Sequence, residues 1–405
     1  VAETDGGGGD VAGSRKRRAA PTLPLPIALL VLALAYWCVD TTSPALPVIR
    51  EALALSATGA GLVASLFFFG RLVANLPASL LVDRRGPRPT AIVGAAALAL
   101  GSALAAVAPG EAVLLVGRAA QGVGVAFLAT AGLLSLLRAL PRGGVAMTAF
   151  NVSAGLGGNF GLIAGGALTG AFDWRAVFWQ CVLLAVVLLV AAIVARTNPG
   201  HRRASVPAPE DDAEEASRPL LSAPVVAALG ANLLVFANYA IWVVALPLYA
   251  AARFDAGPTE IGRILLVINT VHLLGAVPAG GLIRRRGAAA ALMIAFAAVA
   301  LGLATMTSVP SIGWLVVPMA LYAVGQVAGN SAAGDLLLRL GGGGRGVGMV
   351  RLTSDIGMVV GPAAAGALAD AAGVEAPFVA LAALSVLGAL VAAGSLVRQQ
   401  RRSAW

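Results

Sequence analysis

Four pairs of polar side chains interrupt stretches that are otherwise apolar: Asp40 with Arg118, Arg71 with Asn75, Arg351 with Asp355, and Asn269 with His272. A charged group at the centre of a membrane helix costs about 2.5–3.5 kcal/mol on insertion scales, so each calls for a partner or a task. Asp40 is the strongest candidate for proton chemistry. Burial favours its neutral form and a nearby guanidinium its ionised form, so a carboxyl held between the two takes up or releases a proton as its surroundings change. Arg118 is the candidate neighbour. Counted at 1.5 Å per residue from the ends of their segments, Asp40 lies roughly 13 Å deep and Arg118 roughly 9 Å. Cation binding, or reorientation of Arg118, would then move the proton; the alternative is a permanent structural ion pair.

The other pairs invite simpler chemistry. Arg351 and Asp355 are spaced i, i+4 and are expected to neutralise one another. Arg71 and Asn75 share a face by the same spacing, which leaves Arg71 either to meet anionic groups or to snorkel to the interface. His272 carries an imidazole suited to exchange near neutrality, and a lone helical histidine equally suits a hydrogen-bonded packing role. Gln121, Asn238, Gln326 and Asn330 are polar cavity candidates, Gln326 and Asn330 also reading as hydrogen bonders between helices. The aromatic residues Tyr36, Trp37, Phe236, Tyr239, Trp242 and Tyr322 either wall a cavity for flat, amphipathic or cationic molecules, or face lipid. Enzyme chemistry has little to stand on. There is no GxxxxGK[ST] phosphate loop and no His/Cys/carboxylate cluster with metal-ligand spacing, so neither a metal nor a cofactor is expected. Cys38 and Cys181 lie in apolar segments and imply no disulfide framework.

These residues must be positioned by membrane helices. Of 405 residues, 59% are hydrophobic, against an ordinary globular share of roughly 45–50%, and only 12% are charged. That leaves too little polar surface for a soluble protein. The 50 glycines favour helices that pack closely through small residues. At roughly 20 apolar residues per crossing, the chain reads as twelve spans, six plus six. They lie near 27–49, 57–82, 89–108, 112–137, 145–170 and 175–196, then 222–250, 259–283, 288–308, 312–338, 346–371 and 376–397. A net charge of +9 would suit a nucleic-acid partner only if it formed a basic face on a soluble module. Here most Lys and Arg fall in short clusters, including Arg15–Arg18, Arg84–Arg88, Arg284–Arg286 and Arg398–Arg402, on one side of the expected topology. That asymmetry places both termini in the cytoplasm. Residues 1–26 read as a disordered cytoplasmic tail, with a cleaved signal segment as the alternative. Residues 197–221, rich in Pro and mixed charge, read as a cytoplasmic linker between bundles 27–196 and 222–397, and 398–405 as a second tail.

The two halves repeat at an offset close to 200. "ALPVI" (Ala45–Ile49) returns as "ALPLY" (Ala245–Tyr249). Gly157, Gly161 and Gly166 return as Gly357, Gly361 and Gly366, and "DRRG" (Asp83–Gly86) returns as "RRRG" (Arg284–Gly287), shifted by one. A duplicated six-helix unit is the plan of a rocking transporter with its site near the midplane.

The chain resembles the major facilitator superfamily from Ile27 to Val397. "SLLVDRRGPR" (Ser79–Arg88) is similar to the family's GxLaDRxGRR signature, with Ser79 at the first Gly. "RAAQGVG" (Arg118–Gly124) resembles its RxxQGxG motif. "GNFGLIAGG" (Gly158–Gly166) resembles the exporter pattern GxxxGPxxGG with Leu162 in place of Pro, and "FDWRAVFW" (Phe172–Trp179) looks like the opening of the sixth span in drug:proton antiporters. The resemblance implies an all-α fold of twelve membrane helices in two six-helix repeats. It further implies alternating access and proton antiport of a small molecule, by a monomer in a bacterial inner membrane. Asp83, Arg84, Gly86 and Arg88 then read either as a breakable clamp between helix ends or as a turn that sets topology, with Gly86 making the bend. Gly157, Gly161, Gly165, Gly166, Gly357 and Gly361 read first as packing positions. A proton-linked nutrient importer, and a non-transporting receptor or scaffold, remain as alternatives.

Overall fold

Inside a hydrocarbon layer no water reaches a free backbone N–H or C=O, so a crossing chain must pair those groups within itself. The computed structural model describes residues 22–141, 143–195, 222–341 and 343–403 and meets that constraint with helices. The first half holds α1 (Leu25–Asp40), α2 (Leu46–Ala52), α3 (Ala57–Arg85), α4 (Pro87–Ala106), α5 (Glu111–Ala139), α6 (Gly143–Ala171) and α7 (Arg175–Val194). The second holds α8 (Ala223–Ala237), α9 (Leu246–Phe254), α10 (Pro258–Arg286), α11 (Ala288–Met306), α12 (Val316–Gly341), α13 (Gly343–Ala372) and α14 (Ala376–Ser403). Among the described residues, ten helical stretches have the length and apolarity of a membrane crossing. The first and fifth expected spans correspond to α1, of 16 residues, and α6, of 29. The linker at 197–221 and most of the tail at 1–26 lie outside the described residues, while the tail expected from 398 continues α14 as far as Ser403.

Two expected spans are broken, and proline explains both. In the first, Pro44 has no N–H to offer the carbonyl of Asp40. That carbonyl instead accepts from Ser43 N at 3.1 Å, and α1 ends in a tight turn before α2. In the seventh, Pro247 lacks the N–H that would bond four residues back. There the chain widens into a π-helical turn, Ile241–Ala245, between α8 and α9. The breaks fall about 200 residues apart, beside Asp40 and Tyr239.

The repeat is visible in geometry too. Helices α3 and α10 are both 29 residues long and contain a proline near the end, Pro77 and Pro278. They stop at Gly86 (φ +87°) and Gly287 (φ +80°). Glycine enters that conformation without the Cβ penalty other residues meet, so each supplies a sharp turn into the following helix. Arg88, just past the first turn, donates from Nε to the carbonyl of Ala192 (3.0 Å) and from Nη2 to that of Ile193, closing the end of α7.

Small residues set the packing. Gly157, Gly161 and Gly165 on α6 lie against the backbone of α1 at Ala33, Trp37 and Thr41, and Gly357 and Gly361 on α13 lie against α8 at Leu233 and Ala237. Gly166 faces Pro258 and Thr259 at the start of α10, so this glycine serves the seam between halves. Along that seam α3 runs beside α13, and α6 beside α10. Asp370, near the end of α13, caps the start of α3: its Oδ1 accepts from Ala57 N (2.8 Å), and its Oδ2 from Thr58 N (2.8 Å) and Thr58 Oγ1 (2.7 Å). At this end the two halves are in contact.

A side chain at Gly161 would meet the carbonyl of Trp37, whereas nothing lies within 4 Å of a Cβ at Gly110. Gly161→Val is therefore expected to lower stability by about 1–3 kcal/mol, the usual cost of overpacking. Gly110→Ala should leave the melting temperature of the purified protein unchanged. Equal melting of the two variants would contradict this account of the α1–α6 contact.

Candidate substrate cavity

Away from the Asp370 end the halves diverge around a cavity of about 670 Å³, a size that suits a small-molecule ligand. It runs from Asp40 and Trp242 to Val82, Asp83 and Leu137, near the ends of α3 and α5. Of the residues singled out in the sequence, Tyr36, Asp40, Arg71, Asp83, Tyr239, Trp242, His272, Gln326 and Asn330 line it. Three do not. Trp37 stacks on Phe160 (centroids 5.6 Å apart, 17° between planes). Gln121 is buried between Arg118 and Ser102, and Asn238 is buried with its amide 3.4 Å from Ser385 Oγ and its carbonyl accepting from Tyr322 Oη.

Asp40 is the last residue of α1, just before the break at Pro44, and its side chain meets the second half. Tyr239 Oη donates to Asp40 Oδ1 at 2.8 Å. The tyrosine ring stacks on Trp242 (6.2 Å, 18°) and meets Phe68 edge-on (5.7 Å), and Trp242 in turn meets the His272 ring edge-on (5.7 Å). His272 Nδ1 has no hydrogen-bond partner among the described residues. Gly158 leaves the room that Asp40 Oδ2 occupies: a Cβ there would run into the carboxylate. Beside this group, Asn269 Nδ2 donates to Asn159 Oδ1 at 2.7 Å, again joining the two halves.

Both ion pairs drawn from the sequence are redistributed. Arg118 is buried and does not pair with Asp40. Its Nε donates to the Val63 carbonyl (3.1 Å), its Nη1 to Gln121 Oε1 (2.8 Å), and its guanidinium lies over the Phe67 ring at 4.6 Å. Asp355 does not pair with Arg351. It receives Arg71 Nη2 on Oδ1 and Asn75 Nδ2 on Oδ2, each at 2.6 Å, so one carboxylate on α13 binds two side chains of α3. The shared face of Arg71 and Asn75 was visible in their spacing, and its partner was not. Of the residues expected to clamp neighbouring helix ends, Asp83 lines the cavity, Arg84 lies in the last turn of α3, Gly86 forms the turn, and Arg88 closes α7. Phe236 lines the cavity as the sequence suggested, Phe68 and Phe150 add aromatic wall beyond the sequence candidates, and Arg351 faces the same space.

Residues 28–342 and 228–405 match the family model of the Major Facilitator Superfamily. The chain belongs to that superfamily. Among its relatives are the MFS-type transporter EfpA of Mycobacterium tuberculosis, 36% identical over 158 residues, and the puromycin resistance protein pur8 of Streptomyces alboniger, 34% identical over 164. These alignments cover 38% and 39% of this chain, and only 29% and 32% of the relatives' own lengths. The fold is shared more widely. A bacterial homolog of the human lysosomal transporter Spinster, solved inward-facing and occupied, superposes with a TM-score of 0.74 at 16% identity, over 91% of this chain and 95% of that one. A structure of proton-dependent oligopeptide transporters reaches 0.71, also at 16% identity, over 93% and 98%. A Major Facilitator Superfamily fold places a central cavity between its halves, and the ties just described cross that division.

The Arg71–Asp355 pair is little exposed, 15% and 7% for the two side chains. Removing one partner of a fully buried pair costs about 3–5 kcal/mol, mainly by stranding the other charge. With the cavity open beside it, Asp355→Ala should cost about 1–3 kcal/mol. Adding Arg71→Met should recover a large part of that loss in melting temperature. Simply additive losses would mean that the pair is not the source of the penalty.

Proposed function

We propose that this chain is a secondary transporter that exports a small amphipathic molecule in exchange for protons by alternating access. It acts as a monomer in the bacterial inner membrane, with both termini cytoplasmic and bundles 27–196 and 222–397 as its moving halves. The observation that carries this reading is the Asp40–Tyr239 bond. A carboxyl on the first half is held by a phenol of the second, inside a cavity closed at one end by the Asp370 cap.

The chemistry follows from the donor and acceptor. As a carboxylate, Asp40 is the stronger acceptor for Tyr239 and ties the halves together. When it takes up a proton that acceptor weakens, and a cationic substrate group competes for the same oxygens. Substrate and proton would thus exclude one another at a single carboxyl, which is the requirement of an exchanger. Arg118 acts on Asp40 through space rather than as its partner. The Lys and Arg clusters support the orientation, and the cavity then opens to the cytoplasm in the state described. The relatives named for drug resistance support export of an amphipathic compound, and the aromatic wall is compatible with one.

The test uses acid-loaded everted vesicles with a fluorescent pH probe inside and a panel of amphipathic compounds added outside. Wild type should release protons when substrate is added, and Asp40→Asn, expressed at an equal level, should fall to the background of vesicles lacking the protein. Equal release from both proteins would remove Asp40 from the pathway. Uptake driven by inward protons in right-side-out vesicles would instead establish import.

A further inference from the structure

The cavity distributes its charges unevenly. Asp355 is saturated, one oxygen by Arg71 and the other by Asn75. Arg71 is engaged in turn, lying over the Phe68 ring at 5.2 Å with Nη2 also 3.6 Å from Met358 Sδ. Arg351 is thereby left over. It sits one helical turn before Asp355 on α13, is exposed to the cavity, and has no hydrogen bond or ion pair among the described residues. On the first half Asp40 has the opposite imbalance, with a phenol donor and no cation within ion-pair distance among those residues. Tyr36 lines the same cavity, and its ring meets Phe150 edge-on at 5.7 Å. An unbalanced guanidinium and an unbalanced carboxylate thus face one cavity from opposite halves, with aromatic surface beside them.

We propose that the substrate is a zwitterion: a flat apolar body whose cationic end meets Asp40 and whose carboxylate or similar oxyanion meets Arg351. The inference rests on the transport reading above and names the substrate class for the same cavity. The guanidinium fork matches a carboxylate in two parallel hydrogen bonds, which a free Arg351 can still make and Arg71 cannot. The aromatic surface stacks the body, and Asp40 with the neighbouring rings holds the cation. Because Asp40 belongs to α1 and Arg351 to α13, a molecule charged at both ends engages both halves. A simple cation or a simple anion engages only one.

Three dyes built on one xanthene ring system separate these cases: tetramethylrhodamine, a zwitterion; its methyl ester, a cation; and fluorescein, an anion. Their equilibrium binding to the full chain in lipid nanodiscs is read by fluorescence polarisation. No gradient is applied, so the result is independent of transport direction and of proton coupling. Tetramethylrhodamine should bind about tenfold tighter than either of the others, the scale expected for one added charge-assisted pair. Arg351→Gln should bring the zwitterion down to the affinity of its ester while leaving the ester unchanged, which also reports that the variant is folded. Arg351→Lys should restore part of the difference, and Asp40→Asn should bring the zwitterion down to fluorescein. An ester that binds wild type as tightly as its parent acid would overturn the proposal. So would an Arg351→Gln loss shared equally by all three dyes, or no binding of tetramethylrhodamine.

Discussion

A helix in lipid cannot leave backbone groups unpaired, so any break in it has to lie where the protein itself takes over the hydrogen bonding. This chain breaks two of its membrane segments, and both breaks border the cavity. The turn after Asp40 is closed by Ser43 and Ala45 through short-range backbone bonds, and the widened turn at Ile241–Ala245 is buried throughout. Because Pro44 and Pro247 fix where the helices give way, they also fix where Asp40 and Tyr239 can meet.

Within each half, contact is made by glycine against backbone, as along α1–α6 and α8–α13. Such contacts are short-ranged, numerous and without polar alternatives in lipid, so they favour bundles that move as bodies. Between the halves glycine contacts recur, Gly61 and Gly366 where α3 meets α13 and Gly166 and Gly262 where α6 meets α10, and polar ties are added to them. Asp40–Tyr239, Arg71–Asp355, Asn159–Asn269 and the Asp370 cap are all polar, and water can replace each one if the halves part.

Most of the fold was legible in the sequence because apolar length and the 200-residue repeat report on it directly. The turn at Gly86 was legible for a similar reason, since its φ of +87° with ψ of 174° is a conformation open to glycine and closed to other residues. The pairing of charges was not. Spacing along a helix reveals neighbours on that helix alone, so Arg351 and Asp355 looked like partners, while the actual partners, Arg71 and Asn75, sit on another helix nearly 300 positions away. The matching depths of Asp40 and Arg118 were counted along an unbroken first span, and the break at Pro44 invalidates that ruler. Gln121 and Asn238 have suitable chemistry for a cavity but are turned into the bundle, and Trp37 stacks on the exposed Phe160, a matter of rotation that residue type does not reveal.

Arg118 shows how a charge can serve a site it does not touch. An arginine this deep would be costly without compensation. Here a backbone carbonyl, the Gln121 side chain and the Phe67 ring provide it, and none of these titrates. Its helix, α5, packs against α1, the helix that ends in Asp40. An arginine bound directly to that carboxyl would have to be displaced whenever a proton or a cation arrived. Held by neutral partners, Arg118 can bias Asp40 while leaving its oxygens to Tyr239 and to whatever enters the cavity. The separation of the two residues therefore suits exchange better than the ion pair that their sequence positions suggested.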